Sequence, residues 1–260
     1  LFATARIAVT KRITTTQPRK SWWFLAAILL LLFILLQLPA AWILARVSPQ
    51  HEFIDHVSGN VWRGQADWRA KGLEGVVSWR LRPWEFLLLR VGADISIQTG
   101  DTQLQGRVQL GRHHWQLMAL EGKVSPSTLA TVMPWQWPES PIQIRQLSVG
   151  KDQSSGWTDV TGQINWGGGA LGYPFEGRVE HAALPPMVGV FKQDRDRLHL
   201  ALTNASQGRM GDFYLSTDHM LDVQLTQRLL SSVAGYHGQA GLDTAVISTR
   251  QPLSTLGGGM

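Results

Sequence analysis

The chain has 260 residues, 44% of them hydrophobic, with a formal net charge of +5 and no cysteine. That apolar content suffices for the core of one domain or two small ones, and the missing thiols exclude disulfides, Cys-ligated zinc, iron–sulfur centres and thiol nucleophiles. The charge belongs to a tail: residues 1–21 carry Arg6, Lys11, Arg12, Arg19 and Lys20 without an acid, so the rest holds 19 bases against 19 acids. A neutral body of this kind argues against nucleic-acid binding.

Residues 22–45, WWFLAAILLLLFILLQLPAAWILA, contain no charge over 24 positions. As a helix this run is long enough for a hydrocarbon core of about 30 Å. Trp22, Trp23 and Trp42 stand near its ends, where amphipathic rings favour the interface. A cleaved signal has a shorter apolar region and small residues before the cut, whereas cleavage after Ala45 would leave bulky Ile43 at the −3 position. The segment therefore reads as a permanent anchor in the lipid bilayer, with Gln37 and Pro39 as tolerated interruptions. Five bases before the span against Arg46, Glu52 and Asp55 after it predict a cytoplasmic N-terminus. Residues 1–21 are then a basic cytoplasmic tail, 22–45 a single-pass transmembrane helix, and 46–260 a domain outside the cytoplasm, which in a bacterium, with the span in its inner membrane, is the periplasm.

Beyond the span the period is two. Val77, Trp79 and Leu81 alternate with Ser78, Arg80 and Arg82, and Ala93, Ile95 and Ile97 alternate with Asp94, Ser96 and Gln98. After a Thr99-Gly100-Asp101 turn, Leu104, Gly106, Val108 and Leu110 share a face opposite Gln103, Gln105, Arg107 and Gln109. Arg112 to Leu120 reads as another strand, with Trp115 and Leu117 inward. Pro83 ends the strand before it, and Trp84, Leu87 and Leu88 are spaced to fold a turn or two of helix against the sheet. Ser125 is a predicted N-cap and Pro126 the first residue of a helix running to about Val132.

The proline-rich PWQWPESP, residues 134–141, is the expected joint between two sub-halves. In the second, residues 142–149 read as extended. Val160, Gly162, Ile164 and Trp166 share a face before a Gly167-Gly168-Gly169 turn. Phe175, Gly177 and Val179 then form a strand, followed by strands through Leu198–Leu202, Phe213–Leu215 and Leu221–Leu225, and by a helix from Thr226 to Ala234 capped by Gly235. The fold class is mainly β: an antiparallel meander, sandwich or roll with a few short helices.

The chain offers little chemistry. His113 and His114 are adjacent strand residues that point to opposite faces, so they do not chelate one ion together. The glycines of WGGGALG lack the lysine and helix of a phosphate loop. Asp94 and Asp101 are separated by a turn. Ser125, Ser154 and Ser155 lack a nucleophile-elbow context. No catalytic, cofactor-binding or metal-binding residue is assigned. Twelve tryptophans remain; Trp79, Trp115 and Trp166 read as core, and Trp135 and Trp137 as the rings placed for an exposed contact.

Val57-Ser58-Gly59-Asn60-Val61-Trp62-Arg63-Gly64 resembles the V-S-G-x-x-W-x-G opening of type II secretion system protein N. Val77-Ser78-Trp79-Arg80-Leu81-Arg82-Pro83 is similar to that family's strand ending in W-x-L-x-P. The Gly100-Asp101 turn and the strand through Leu104 and Gly106 also fit, and the likeness is sharpest from about residue 30 to 110. The resemblance implies a non-enzymatic accessory of the inner-membrane platform that exports folded proteins across the outer membrane. Its implied partners are other platform components or the secretin complex, with no cofactor. The alternation also looks like the periplasmic domains of AsmA-type envelope proteins, which handle lipids in an apolar groove. An open groove lined by Trp79, Ile95 and Val108 would favour that alternative, and a closed sandwich would favour a scaffold.

Overall fold

The computed structural model describes residues 20–42, 53–70, 72–88, 90–133, 135–175, 177–232 and 236–252. It divides into two compact units between Leu38 and Pro39. In the first, one helix runs Lys20–Gln37. The residue before a proline is disfavoured in the helical region, and helix 20–37 ends one residue short of Leu38-Pro39. The single helix expected over 22–45 is thus corrected to one ending at Gln37, and residues 43–45 lie outside the described residues. Among the described residues, no helix is long and apolar enough to cross a membrane.

The second unit is mainly β. Its strands are β1 (Ile54–Gly59), β2 (Arg63–Ala70), β3 (Leu73–Arg82), β4 (Val91–Thr99), β5 (Thr102–Leu110), β6 (His114–Val124), β7 (Ile142–Asp152) and β8 (Gly156–Trp166). They continue as β9 (Gly169–Phe175), β10 (Arg178–Leu184), β11 (Met187–Asp194), β12 (Arg197–Asn204), β13 (Arg209–Leu215), β14 (Met220–Thr226) and β15 (Ala245–Pro252). Thirteen of them form one antiparallel sheet in nearly sequential order, while β9 and β10 leave it as a separate two-stranded hairpin. Strands that follow one another in sequence are mostly neighbours in space, the order of an antiparallel meander.

Each strand contributes one residue to an unbroken small or apolar row across the sheet. Val57 lies opposite Ala66, Ala66 opposite Val77, Val77 opposite Ile97, and Ile97 opposite Leu104. The row continues through Gly122, Ile144, Ile164 and Gly189. It ends through Leu202, Gly211, Leu225 and Ile247. Among the described residues the other sheet is the two-stranded β9–β10 hairpin. A hydrophobic cluster spans several strands, where Val149, Trp157 and Val160 of β7 and β8 gather Leu147, Phe191, Leu198 and Leu215, the last from β13. Elsewhere Val91, Leu110, Trp115 and Ile247, all on the apolar face, remain exposed. Register shifts at the β6, β7 and β8 pairings coincide with left-handed Ala119, Gln146 and Asp159, marking bulges that bend and twist the sheet in its middle.

Several expected elements differ. Phe175, Gly177 and Val179 do not form one strand: Gly177, at φ +78°, sits in the turn between β9 and β10. The helix expected over Thr226–Ala234 is reduced to Gln227–Leu230, because Thr226 remains in β14, where its hydroxyl donates to the Arg209 and Met210 carbonyls. Residues 233–235 lie outside the described residues. Pro83–Leu88 forms a 3₁₀ helix, but Trp84 is 79% exposed and does not pack against the sheet. Leu87 and Leu88 are outside the described side chains. The Pro126–Val132 helix forms as expected, with the Ser125 hydroxyl accepting from the Thr128 amide.

Candidate functional site

The two motifs quoted above meet in space. Gly64 of β2 lies directly opposite Trp79 of β3, and a Cβ added at Gly64 would come within 2.5 Å of the Trp79 ring. The indole Nε1 donates to the Val61 carbonyl at 3.1 Å, and the Leu81 amide to the Trp62 carbonyl at 2.8 Å. Gly59, at φ +87°, opens the turn and faces the Arg63 carbonyl so closely that no side chain fits. The β1–β2 turn and β3 are therefore one packing unit, locked by a tryptophan lying on a glycine.

On the apolar face, this unit walls a cavity of about 480 Å³ lined by Ala40, Ile54, Val57, Val61, Ala66, Trp68, Val77, Trp79, Leu81 and Ala93. The indole Nε1 of Trp68 is its one buried polar atom without a hydrogen-bond partner among the described residues. Trp79, Ile95 and Val108 share the apolar face, but only Trp79 reaches this cavity. Its lining is apolar apart from the two indole nitrogens and includes no group that performs acid–base chemistry.

The opposite face of the same strands is polar. Ser58, Gln65, Ser78, Ser96, Gln105 and Glu121 form one cross-strand row, and Arg63, Arg80, Asp94 and Arg107 the next. They line a concavity of about 690 Å³. Asp94 accepts from Arg82 Nε and Arg107 Nε, each at 3.0 Å. Burial works to raise its pKa, but the two arginine hydrogen bonds and charges outweigh it, so the carboxyl is held below its ordinary value.

The other singled-out residues do not assemble into a reaction centre. Asp101 sits in the β4–β5 turn, seven residues from Asp94, which at about 3.3 Å per strand residue is on the order of 20 Å away. His113 contacts Gln153 at 3.3 Å, while His114 starts β6. Trp135 and Trp137 stack with centroids 5.8 Å apart, and Trp137 meets Trp166 edge to face. Trp135 is 37% exposed, whereas the Trp137 indole donates to the Met133 carbonyl. Ser125 is buried in a hydroxyl cluster with Thr102, Ser127 and Thr128. Ser154 holds Asp152, whose carboxyl falls to about 2 because the Ser154 hydroxyl and the Ser154 and Ser155 amides donate to it. Gly168 turns the chain out of the main sheet at φ +72°.

One polar cluster escaped the sequence reading. On β12 and β13, His199 contacts buried Asp212 at 2.6 Å, Arg209 donates to the same carboxylate, and His199 stacks on Tyr214. Burial, then the Asp212 charge, raises the Tyr214 pKa. No serine or threonine hydroxyl is among the hydrogen-bond partners of His199 or Asp212 within the described residues, so the cluster reads as a cross-strand ladder. Its signal was the polar alternation within strands read only for their leucines. Among the described residues, no group of three His, Asp or Glu side chains converges to hold a metal ion.

A family model for type II secretion system (T2SS), protein N, matches residues 53–257. The match takes in both motifs and every strand from β1 to β15, and does not extend to residues 30–52. No curated protein and no solved structure matches the chain. The chain belongs to the type II secretion system protein N family.

Proposed function

We propose that this member of the family is a non-enzymatic accessory of type II secretion, anchored in the inner membrane through residues 22–45 with its sheet in the periplasm. The observation that carries the reading is the family match from β1 to the C-terminal strand. The anchor is supported by composition. Helix 20–37 is apolar on all sides, with Trp22, Trp23, Phe24, Ile28, Leu31 and Phe33 each more than half exposed. A helix that is hydrophobic all round needs an apolar surrounding. The sheet then meets other platform components or the secretin complex.

Absence of native cysteine makes the topology directly testable. Single cysteines replacing Ala8 and Ser216 are treated with a membrane-impermeant maleimide on spheroplasts. Labelling at 216 alone is expected, and labelling at 8 alone reverses the orientation. Deleting the gene should reduce exoprotein secretion, with restoration by the full chain. Unchanged secretion together with no crosslink from the sheet to any secretion component would count against the assignment.

The sheet favours a second reading, in which the apolar face handles a lipid acyl chain. Its support is the cavity around Trp79 and the exposed Val91 and Leu110 on the same face. A bimane on Val77→Cys would be quenched by brominated acyl chains if the cavity admits them, while one on Ser216→Cys would not. Equal quenching at both positions discards this reading.

A further inference from the structure

The polar face of β2 and β3 carries a feature that neither the packing nor the proposed secretion role uses. Arg63 lies directly opposite Arg80. Like charges directly opposite on neighbouring strands repel and destabilise the pairing. The next residue in the row, opposite Arg80, is Asp94. A carboxylate there would ordinarily relieve the repulsion, but its two oxygens are taken by Arg82 and Arg107. Of Arg63, Arg80, Arg82 and Arg107, two are thus engaged by this one carboxylate. The two that remain, Arg63 and Arg80, have no acidic partner among the described residues.

These two side chains line the concavity of about 690 Å³, together with the hydroxyl residues Ser58 and Ser78. Both serines belong to the adjacent cross-strand row, joined through Gln65. Guanidinium groups present planar, fixed forks of donors that match tetrahedral oxyanions, and hydroxyls complete such a shell as neutral donors.

We propose that Arg63 and Arg80, with Ser58 and Ser78, form a binding site for a phosphate group on the polar face of β2–β3. The phosphate comes either from a phospholipid headgroup or from free phosphate. The site stands independently of the secretion role and of the apolar cavity, which lies on the other face of the same strands.

The test uses the full chain in non-ionic detergent and isothermal titration with inorganic phosphate, dihexanoyl phosphatidylglycerol and phosphate-free dihexanoylglycerol. At least one phosphate-bearing probe is expected to bind, and dihexanoylglycerol is not expected to compete with it. The double variant Arg63→Gln, Arg80→Gln should weaken binding at least ~10-fold, as loss of two charge-assisted contacts implies. Arg112→Gln, in the β5–β6 turn, should leave it unchanged. Lipid that displaces phosphate identifies a headgroup site; phosphate that binds while the lipid does not identifies free phosphate. Hydrogen exchange on the unmodified protein gives a reading that needs no variant, with phosphate slowing exchange at residues 63–65 and 78–80. No heat with either probe up to about 10 mM, or equal affinity in the double variant and the parent, overturns the site. So does protection confined to other strands.

Discussion

At Gly64 there is no space for a methyl group between the Trp79 ring and the Ser58 carbonyl, 2.7 Å from a built Cβ. Gly64→Ala should therefore cost about 1–3 kcal/mol, because the tryptophan must leave its position or the strands must part. Urea denaturation of the mutant and parent measures it, and a loss below the error of the fit would show that the ring is not held there. Asp94 makes a different prediction. Its pKa is depressed on folding, so its contribution is complete above the ordinary value of 3.8 and is lost as pH falls through the lowered folded value. Both of its ion pairs involve side chains about two-fifths exposed. Solvent screening therefore limits the stability lost in Asp94→Asn at pH 7 to about 0.5–1 kcal/mol. The difference between mutant and parent should shrink towards pH 2; a constant difference from pH 7 to pH 2 would assign the effect to packing instead.

At the scale of the element, strands with clean alternation were legible in the sequence, because one face was apolar and the other polar. β3, β4 and β5 formed with the expected faces. β11 and β15 were not foreseen: Met187, Gly189 and Phe191 alternate with Val188 and Val190 beside them, and Ala245–Pro252 has no consistent apolar face. The Ser125 cap was legible because its chemistry is local. The Ser125→Ala variant should lose about 1–2 kcal/mol, since it removes the helix cap and one of the hydrogen bonds of the buried Thr102 hydroxyl, 3.1 Å from the serine oxygen. A thermal melt reads the loss, and an unshifted midpoint would mean that Thr128 replaces the missing oxygen. The corner after Pro83 was only half legible. Proline ended the strand as expected, but helical spacing of Trp84 with later leucines did not make it a buried face. A six-residue 3₁₀ helix rotates its side chains differently from an α-helix.

The whole sheet behaves as a chain of neighbours. With nearly every strand hydrogen-bonded to its neighbour in sequence, stability is expected to approach a sum of strand-pair terms, as in repeat proteins. The central strands β7 and β8 add the cluster around Trp157, whereas β1 and β15 have one neighbour each. Hydrogen exchange should therefore be slowest in β7 and β8 and accelerate towards both edges; uniform protection from β1 to β15 would indicate one cooperative unit. Alternation in the sequence determined the antiparallel β class and which residues share a face, because a period of two is written in the order of side chains. The short V-S-G and W-x-L-x-P motifs also marked the family, since glycine and tryptophan there answer a close local contact. Only the tertiary structure decided that β9 and β10 leave the sheet, that Leu215 of β13 reaches the cluster around Trp157, and that Asp94 is spent on Arg82 and Arg107 while Arg80 is left facing Arg63. Those outcomes depend on which strands become neighbours and in what register, and register is a property of pairs of strands that no single strand's sequence contains.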